Sequence, residues 1–267
     1  MAAAIAERFD RVPTLDLRAF GRTVSLEGPR AALIAARHRL PAEYREAPGP
    51  AERSWSVRKD SRTEWAAVVQ GDRLSLWPDV VAATEAVLSD LELWIAERAR
   101  DRVFVHAGCV TVDGGAIVIP GRSMSGKSSL TAALVRAGAA YFSDEYAVLD
   151  RHGLVRPYPR PLSLRPADGI PARPVTAEEM GGKPGRGSAR IRLVAFLRYD
   201  VAAGWRPESL TRAQTVLRLL DNTVAARTRP RTALAALERA TEDTQALAGT
   251  RGDADVSAAL LLSRLSS

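Results

Sequence analysis

Between Ala116 and Ser129 the chain reads AIVIPGRSMSGKSS, an apolar run that passes directly into a glycine-bounded, hydroxyl-rich turn. Gly121, Gly126, Lys127 and Ser128 fit the spacing G-x-x-x-x-G-K-[ST] of a phosphate-binding loop. Such a loop works only where a strand ends and a helix begins, so it constrains the fold as well as the ligand. Its glycines let the backbone curl and turn N–H groups toward anionic oxygens. The helix that follows aims its positive end at the same point. Lys127 supplies a compact charge for the β- and γ-phosphates, and Ser128 a hydroxyl able to ligate magnesium. The sequence has three lysines, Lys59, Lys127 and Lys183, among many arginines, which marks Lys127 as a point charge and not a generic surface cation. Gly121, Arg122, Ser123, Met124, Ser125, Gly126, Lys127, Ser128 and Ser129 are therefore expected to bind a nucleoside triphosphate.

Composition narrows the class of protein around this loop. A chain of 267 residues suits one large domain, or a small unit joined to a main one. Its 46% hydrophobic content is enough to bury a core. The formal charge of +7 comes from scattered arginines without an aromatic-interleaved patch, so an acidic nucleotide or acidic substrate is expected and not a nucleic-acid partner. Cys109 is the single cysteine, which excludes intrachain disulfides and cysteine metal sites. The start, MAAAIAERFD, lacks a signal-like charge pattern, and no apolar run reaches spanning length. No membrane contact and a cytoplasmic location are expected.

Residues 1–78 read as a small N-terminal α/β unit. TLDLRAF (14–20) and RTVSLEG (22–28) alternate as strands with a turn at Gly21, and RAALIAARHRL (30–40) is a helix stopped by Pro41. SWSVRKD, TEWAAVVQ and DRLSLW predict three further strands, with a turn at Gly71-Asp72 and with Trp55, Trp65 and Trp77 as packing residues. Residues 79–102 carry an apolar stripe at helical spacing, expected to be a connecting helix. Residues 103–267 form the main unit. Asp113-Gly114 between two apolar runs predicts a hairpin that pairs VHAGCVTV with the strand entering the loop. YFSDEYAVLD predicts a strand with two acids in its middle, and LVRPYPRPLSLRP (154–166) a bent, proline-rich hairpin. Residues 167–190 have the composition of a mobile loop carrying Lys183, Arg186 and Arg190. RLVAFLRYD returns to strand. Helices over 211–221, 230–242 and 254–265 and a short strand near Gln245–Gly249 complete the chain.

A phosphate loop alone does not separate an ATPase from a kinase, but its neighbours narrow the choice. Asp144 and Glu145 arrive one helix after the loop, at a strand end expected to lie beside it. One carboxylate could hold magnesium, and the other could take a proton from an acceptor hydroxyl. His106 opens the strand pair that feeds the loop, where either a structural or a catalytic role is open.

The order HAGCVTVDGGAIVIPGRSMSGKSSLTAAL followed by YFSDEYAVLD resembles the HPr kinase/phosphorylase catalytic domain and its wider relatives over about 45 residues. The likeness extends more weakly through PYPRPLSLRP to IRLVAFLRY. It implies a P-loop fold similar to phosphoenolpyruvate carboxykinase and HPr kinase, α/β with a mixed sheet, using ATP and Mg2+ to phosphorylate a serine. Carried over, Gly121 to Ser129 would bind the triphosphate and Ser128 the metal. Asp144 would be the general base, with Glu145 and His106 assisting. Either acid could share the metal with Ser128.

The chain departs from the HPr enzymes in having Met124 where they have glycine and Glu145 where they have a second aspartate. The glycine-containing segment that they carry after the acids is not found, and the first unit is unlike theirs. It is more similar to stand-alone relatives, including lasso-peptide tailoring kinases, that modify a serine of a precursor peptide. The expected partner is thus a peptide or small protein with an acceptor serine, with homo-oligomerisation left open. A small-molecule hydroxyl kinase and a nucleotide-binding regulatory protein without transfer activity are the rival expectations.

Overall fold

The computed structural model describes residues 12–121, 125–164, 173–202 and 204–265. It is an α/β protein with mixed sheets, divided into two compact units, Met1–Arg100 and Asp101–Ser267.

The described residues of the first unit form six strands, β1 (Thr14–Ala19), β2 (Arg22–Glu27), β3 (Arg45–Glu46), β4 (Arg53–Lys59), β5 (Trp65–Val69) and β6 (Asp72–Trp77). Their spatial order is β3-β1-β2-β4-β5-β6, with only β2 and β4 parallel. Helix α1 (Arg30–Arg39) supplies the crossover between those two parallel strands. Helix α2 (Val80–Arg98), read from the sequence as a connector, belongs to this unit and lies on β4, β5 and β6. Asp79 caps it by accepting from the Ala82 N–H at 2.8 Å, and Val87, Leu88, Leu91 and Ile95 are fully buried. Trp55 is a core residue, its indole N–H donating to Asp90 at 2.8 Å, whereas Trp77 on the edge strand is 36% exposed. Glu92, on the same helix, is buried because the Arg39 guanidinium meets it at 2.6 Å.

The second unit is built on β7 (Val103–Val112), β8 (Gly115–Pro120), β9 (Ala140–Ser143), β10 (Tyr146–Leu149), β11 (Val155–Arg156), β12 (Leu162–Leu164), β13 (Arg173–Val175), β14 (Lys183–Pro184), β15 (Arg190–Tyr199), β16 (Arg206–Ser209) and β17 (Gln245–Arg251). The main sheet runs β11-β10-β7-β8-β15-β17-β16, with β9 beside β7 and β14 beside β9. β8, β15 and β17 are parallel neighbours, while β7 and β16 flank them antiparallel. Asp113 and Gly114, at φ of 48° and 77°, make the expected two-residue turn between β7 and β8.

The pleat then sorts the side chains onto two faces. Ile117 and Ile119 of β8, with Leu193 and Leu247, pack against Leu130 and Leu134 of α3 (Lys127–Arg136) and Leu261 of the last helix, α6 (Ala254–Leu265). Val118 and Val194 face the other way, toward Val216 and Leu219 of α4 (Arg212–Leu220) and Leu237 of α5 (Pro230–Ala240). Helices cover both faces, which explains why these strands read as unbroken apolar runs.

Two local expectations are corrected. The proline-rich stretch forms no hairpin of its own, because β11 pairs back onto β10 and β12 pairs with β13. Pro157, Pro159 and Pro161 cannot supply ladder donors between them. Pro166 lies outside the described residues. Part of the expected mobile loop is ordered: residues 183–184 form a strand parallel to β9, and Gly185 donates its N–H to the Tyr141 carbonyl at 2.7 Å. The fit is close, since a Cβ on Gly185 would lie 2.2 Å from the Phe142 ring. Residues 167–172 of that loop lie outside the described residues.

Candidate functional site

The apolar strand β8 ends at Pro120, and α3 begins at Lys127. Gly126 is the residue before the helix, with φ 84° and ψ 16°, a left-handed conformation that favours glycine. Among the described residues no side chain caps this helix start. Gly121 is needed for closeness, since a Cβ there would approach the Ser125 hydroxyl to 2.7 Å. Arg122, Ser123 and Met124, expected in the same loop, lie outside the described residues. Lys127 is 8% exposed and donates from Nζ to the Gly121 carbonyl at 2.6 Å. Ser128 is half-buried and Ser129 exposed. The Ser125 Oγ is buried without a hydrogen-bond partner among the described residues.

The acids reach this loop because one strand breaks in two. β9 and β10 both pair with β7, and Asp144-Glu145 occupy the gap between them. Ser143 makes the break: its Oγ accepts from the N–H groups of Glu145 at 3.1 Å and Tyr146 at 3.0 Å. Ser128 Oγ then donates to Asp144 Oδ2 at 3.3 Å, across the helix start. Asp144 is 7% exposed, and its other oxygen accepts from the Tyr141 hydroxyl at 3.1 Å. The Arg160 carbonyl, at 2.8 Å, shares the single proton of that hydroxyl as a second acceptor.

Glu145 is more open, with a side chain 34% exposed. It stands between the His106 Nε2 at 3.5 Å and the Arg160 guanidinium at 3.8 Å. His106 comes from β7, where it pairs with Tyr146 and is backed by that ring, centroid to centroid 6.1 Å. Its backbone N–H donates to the Asn222 carbonyl at 2.7 Å. Lys127, Ser128, Asp144, Glu145 and His106 are thus brought together from three elements.

Burial governs the electrostatics. It raises the Asp144 carboxyl above its ordinary range. The nearby Arg160 opposes that, the Glu145 charge adds to it, and the Tyr141 and Ser128 hydrogen bonds oppose it. Burial also pushes the Tyr141 phenol well up, reinforced by the Asp144 charge. Lys127 is lowered by burial, with Glu145 and then Asp144 working the other way. His106 is lowered by burial and by the Lys127 charge, against Glu145. His106 Nε2 lies within ion-pair distance of Glu145 at 3.5 Å, but burial favours the neutral imidazole and so weakens the contact as an ion pair.

Several neighbours carried no signal in the sequence. Tyr141 and Arg160 close on the acids because Tyr158 donates its N–H to the Phe142 carbonyl at 3.0 Å, laying the proline-rich segment along β9. Arg251, at the end of β17, is 2% exposed and donates from Nη2 to the Gly126 carbonyl at 2.7 Å. Two arginine-lined surface cavities lie elsewhere, around residues 101–102 with 150–156, and around 152–154 with 190–192 and 239–243. Neither includes a residue of the loop. Among the described residues no group of three or more His, Cys, Asp or Glu is placed so that it could hold a metal ion by itself, and no helix is long and apolar enough to cross a membrane.

Comparison with protein-family models and with curated proteins finds no match to this chain.

Proposed function

We propose that this chain is an ATP- and magnesium-dependent kinase of the HPr kinase-like type, with a P-loop fold, that transfers the γ-phosphoryl group to a serine hydroxyl on a peptide or small protein. The observation that carries the reading is the convergence of Lys127, Ser128 and Asp144. A buried amine, a hydroxyl and a buried carboxylate meet at one helix start that no described side chain caps, with Ser128 and Asp144 in direct contact. A chance Gly/Ser turn gives no reason for a desolvated carboxylate at that point.

In this reading the bond between the γ-phosphorus and the β–γ bridging oxygen breaks. A bond forms from the acceptor oxygen to phosphorus, ADP leaves, and the acceptor proton passes to Asp144. Burial raises the proton affinity of Asp144, as a base working near neutral pH requires. Lys127 and the backbone N–H groups at the start of α3 would stabilise charge on the phosphoryl oxygens. Magnesium would be held by Ser128, a carboxylate and the nucleotide's own oxygens. When bound, it neutralises phosphate charge. His106, neutral and against Glu145, would orient that carboxylate.

The 3.3 Å Ser128–Asp144 contact favours a second arrangement of the same parts, with Asp144 beside the cation and the more open Glu145, supported by His106, facing the acceptor.

The test is ADP release and phosphate incorporation with magnesium and serine-containing peptides, for the unaltered chain and for Lys127→Ala. The variant should lose transfer and bind ATP more weakly while its affinity for adenosine holds, because the lost charge faces only phosphates. Wild-type turnover in Lys127→Ala would refute the loop as the catalytic site.

A further inference from the structure

If the loop holds a triphosphate, its two sides are chemically unlike. On one side of β8, beyond β7, lie Asp144 and Glu145. On the other side lie the parallel strands β15 and β17, whose last residues, Tyr199 and Arg251, are register partners. Both strands end at the same edge as β8, the edge at which open parallel sheets take their ligands. The γ-phosphate must face the acids for transfer to occur. The α-phosphate and nucleoside therefore leave toward Tyr199.

What stands there is built against the loop. The Tyr199 N–H donates to the Ser125 carbonyl at 3.4 Å, and its Cβ would lie 3.2 Å from a Cβ placed on Gly126. Arg251 donates from Nη2 to Gly126 O and from Nη1 to Gly252 O at 2.8 Å. The same guanidinium lies over the Tyr199 ring, 5.3 Å from its centroid. Its Nε is buried without a hydrogen-bond partner among the described residues. Tyr199 itself is 51% exposed. One cation thus fixes both the carbonyl at the helix start and the position of an exposed aromatic ring. A ring held in that way, with half its surface open beside a phosphate site, is suited to stack a flat heteroaromatic base.

We propose that Tyr199, backed by Arg251, is the platform for the nucleobase of the bound nucleotide. This rests on the nucleotide reading above and assigns the end of the ligand that the loop does not touch. Arg251 is a positioning residue, holding the ring and the loop in one arrangement.

The experiment measures the affinity of the full chain for ADP and for inorganic tripolyphosphate, each with magnesium, in the unaltered protein, Tyr199→Ala and Tyr199→Phe. Loss of base stacking should weaken ADP about tenfold or more. Tripolyphosphate, which has no base, should stay within about twofold, and Tyr199→Phe should keep the affinity for ADP. Equal weakening of both ligands by Tyr199→Ala would mean that the ring acts through the loop, and would overturn the proposal. Unchanged affinity for ADP would also overturn it. If the unaltered chain binds neither ligand, the nucleotide reading falls and takes this one with it. If it binds both, only the base platform is in question.

Discussion

Replacing Asp144 by asparagine should stabilise the second unit while removing the proposed transfer activity. The carboxylate is 7% exposed, and burial together with the Glu145 charge raises its pKa. The folded state therefore holds the proton more tightly than the unfolded chain does. A group of this kind contributes stability that is fully present below its unfolded pKa and is lost as pH rises through the folded value. Above that window the native state carries a buried negative charge only partly offset by Arg160, Tyr141 and Ser128. Asparagine keeps the shape and has no charge to bury. Its oxygen can accept from the Tyr141 hydroxyl, and its amide can donate to the Ser128 oxygen, so both present contacts survive. The expected gain at pH 8 is on the order of 1 kcal/mol, about 2–4 °C in Tm for a unit of this size. It should shrink toward zero below about pH 4, where an ordinary aspartate is protonated in both states. Amide exchange in β7 and β8 reads this unit alone. Turnover in the same variant should fall on the order of 10² or more. A variant less stable at pH 8, or a gain equal at pH 4 and pH 8, would refute the account of Asp144 as a desolvated charge.

Three further outcomes follow from the same geometry. With Asp144 as base and Glu145 as cation ligand, Glu145→Gln should raise the magnesium requirement and weaken the nucleotide, while Asp144→Asn leaves affinity for ATP–magnesium near wild type; exchanged phenotypes in a magnesium titration would establish the second arrangement instead. His106→Ala should lower turnover with unfolding free energy within about 1 kcal/mol, and a large stability loss with normal turnover would make His106 a packing residue. Gly108→Ala should destabilise by about 1–3 kcal/mol, because its Cβ would meet the buried Thr131 Oγ1 at 2.3 Å. Thr131→Ala should then rescue it in a double-mutant cycle, and additive losses would show that α3 does not press on β7 at this point.

Local chemistry made much of this protein legible from its sequence. The Asp113-Gly114 turn follows from backbone freedom, and the helices follow from apolar spacing. The glycine, lysine and serine of the loop and the acids at 144–145 stood out because each residue type is rare or oddly placed where it occurs. The first correction, at residues 154–166, shows where that reasoning stops: proline forbids pairing locally but does not say which distant strand takes the segment's place. The partners of the site were decided by tertiary structure in the same way. Arg160 and Arg251 are two arginines among many, and Tyr141 and Tyr199 look like ordinary strand residues. They matter because β15 and β17 pack beside β8, and because the segment after β11 lies along β9. Those neighbours are fixed by burial of two apolar faces over the whole sheet, a sum of contacts between residues far apart in the chain, which no short stretch of sequence contains.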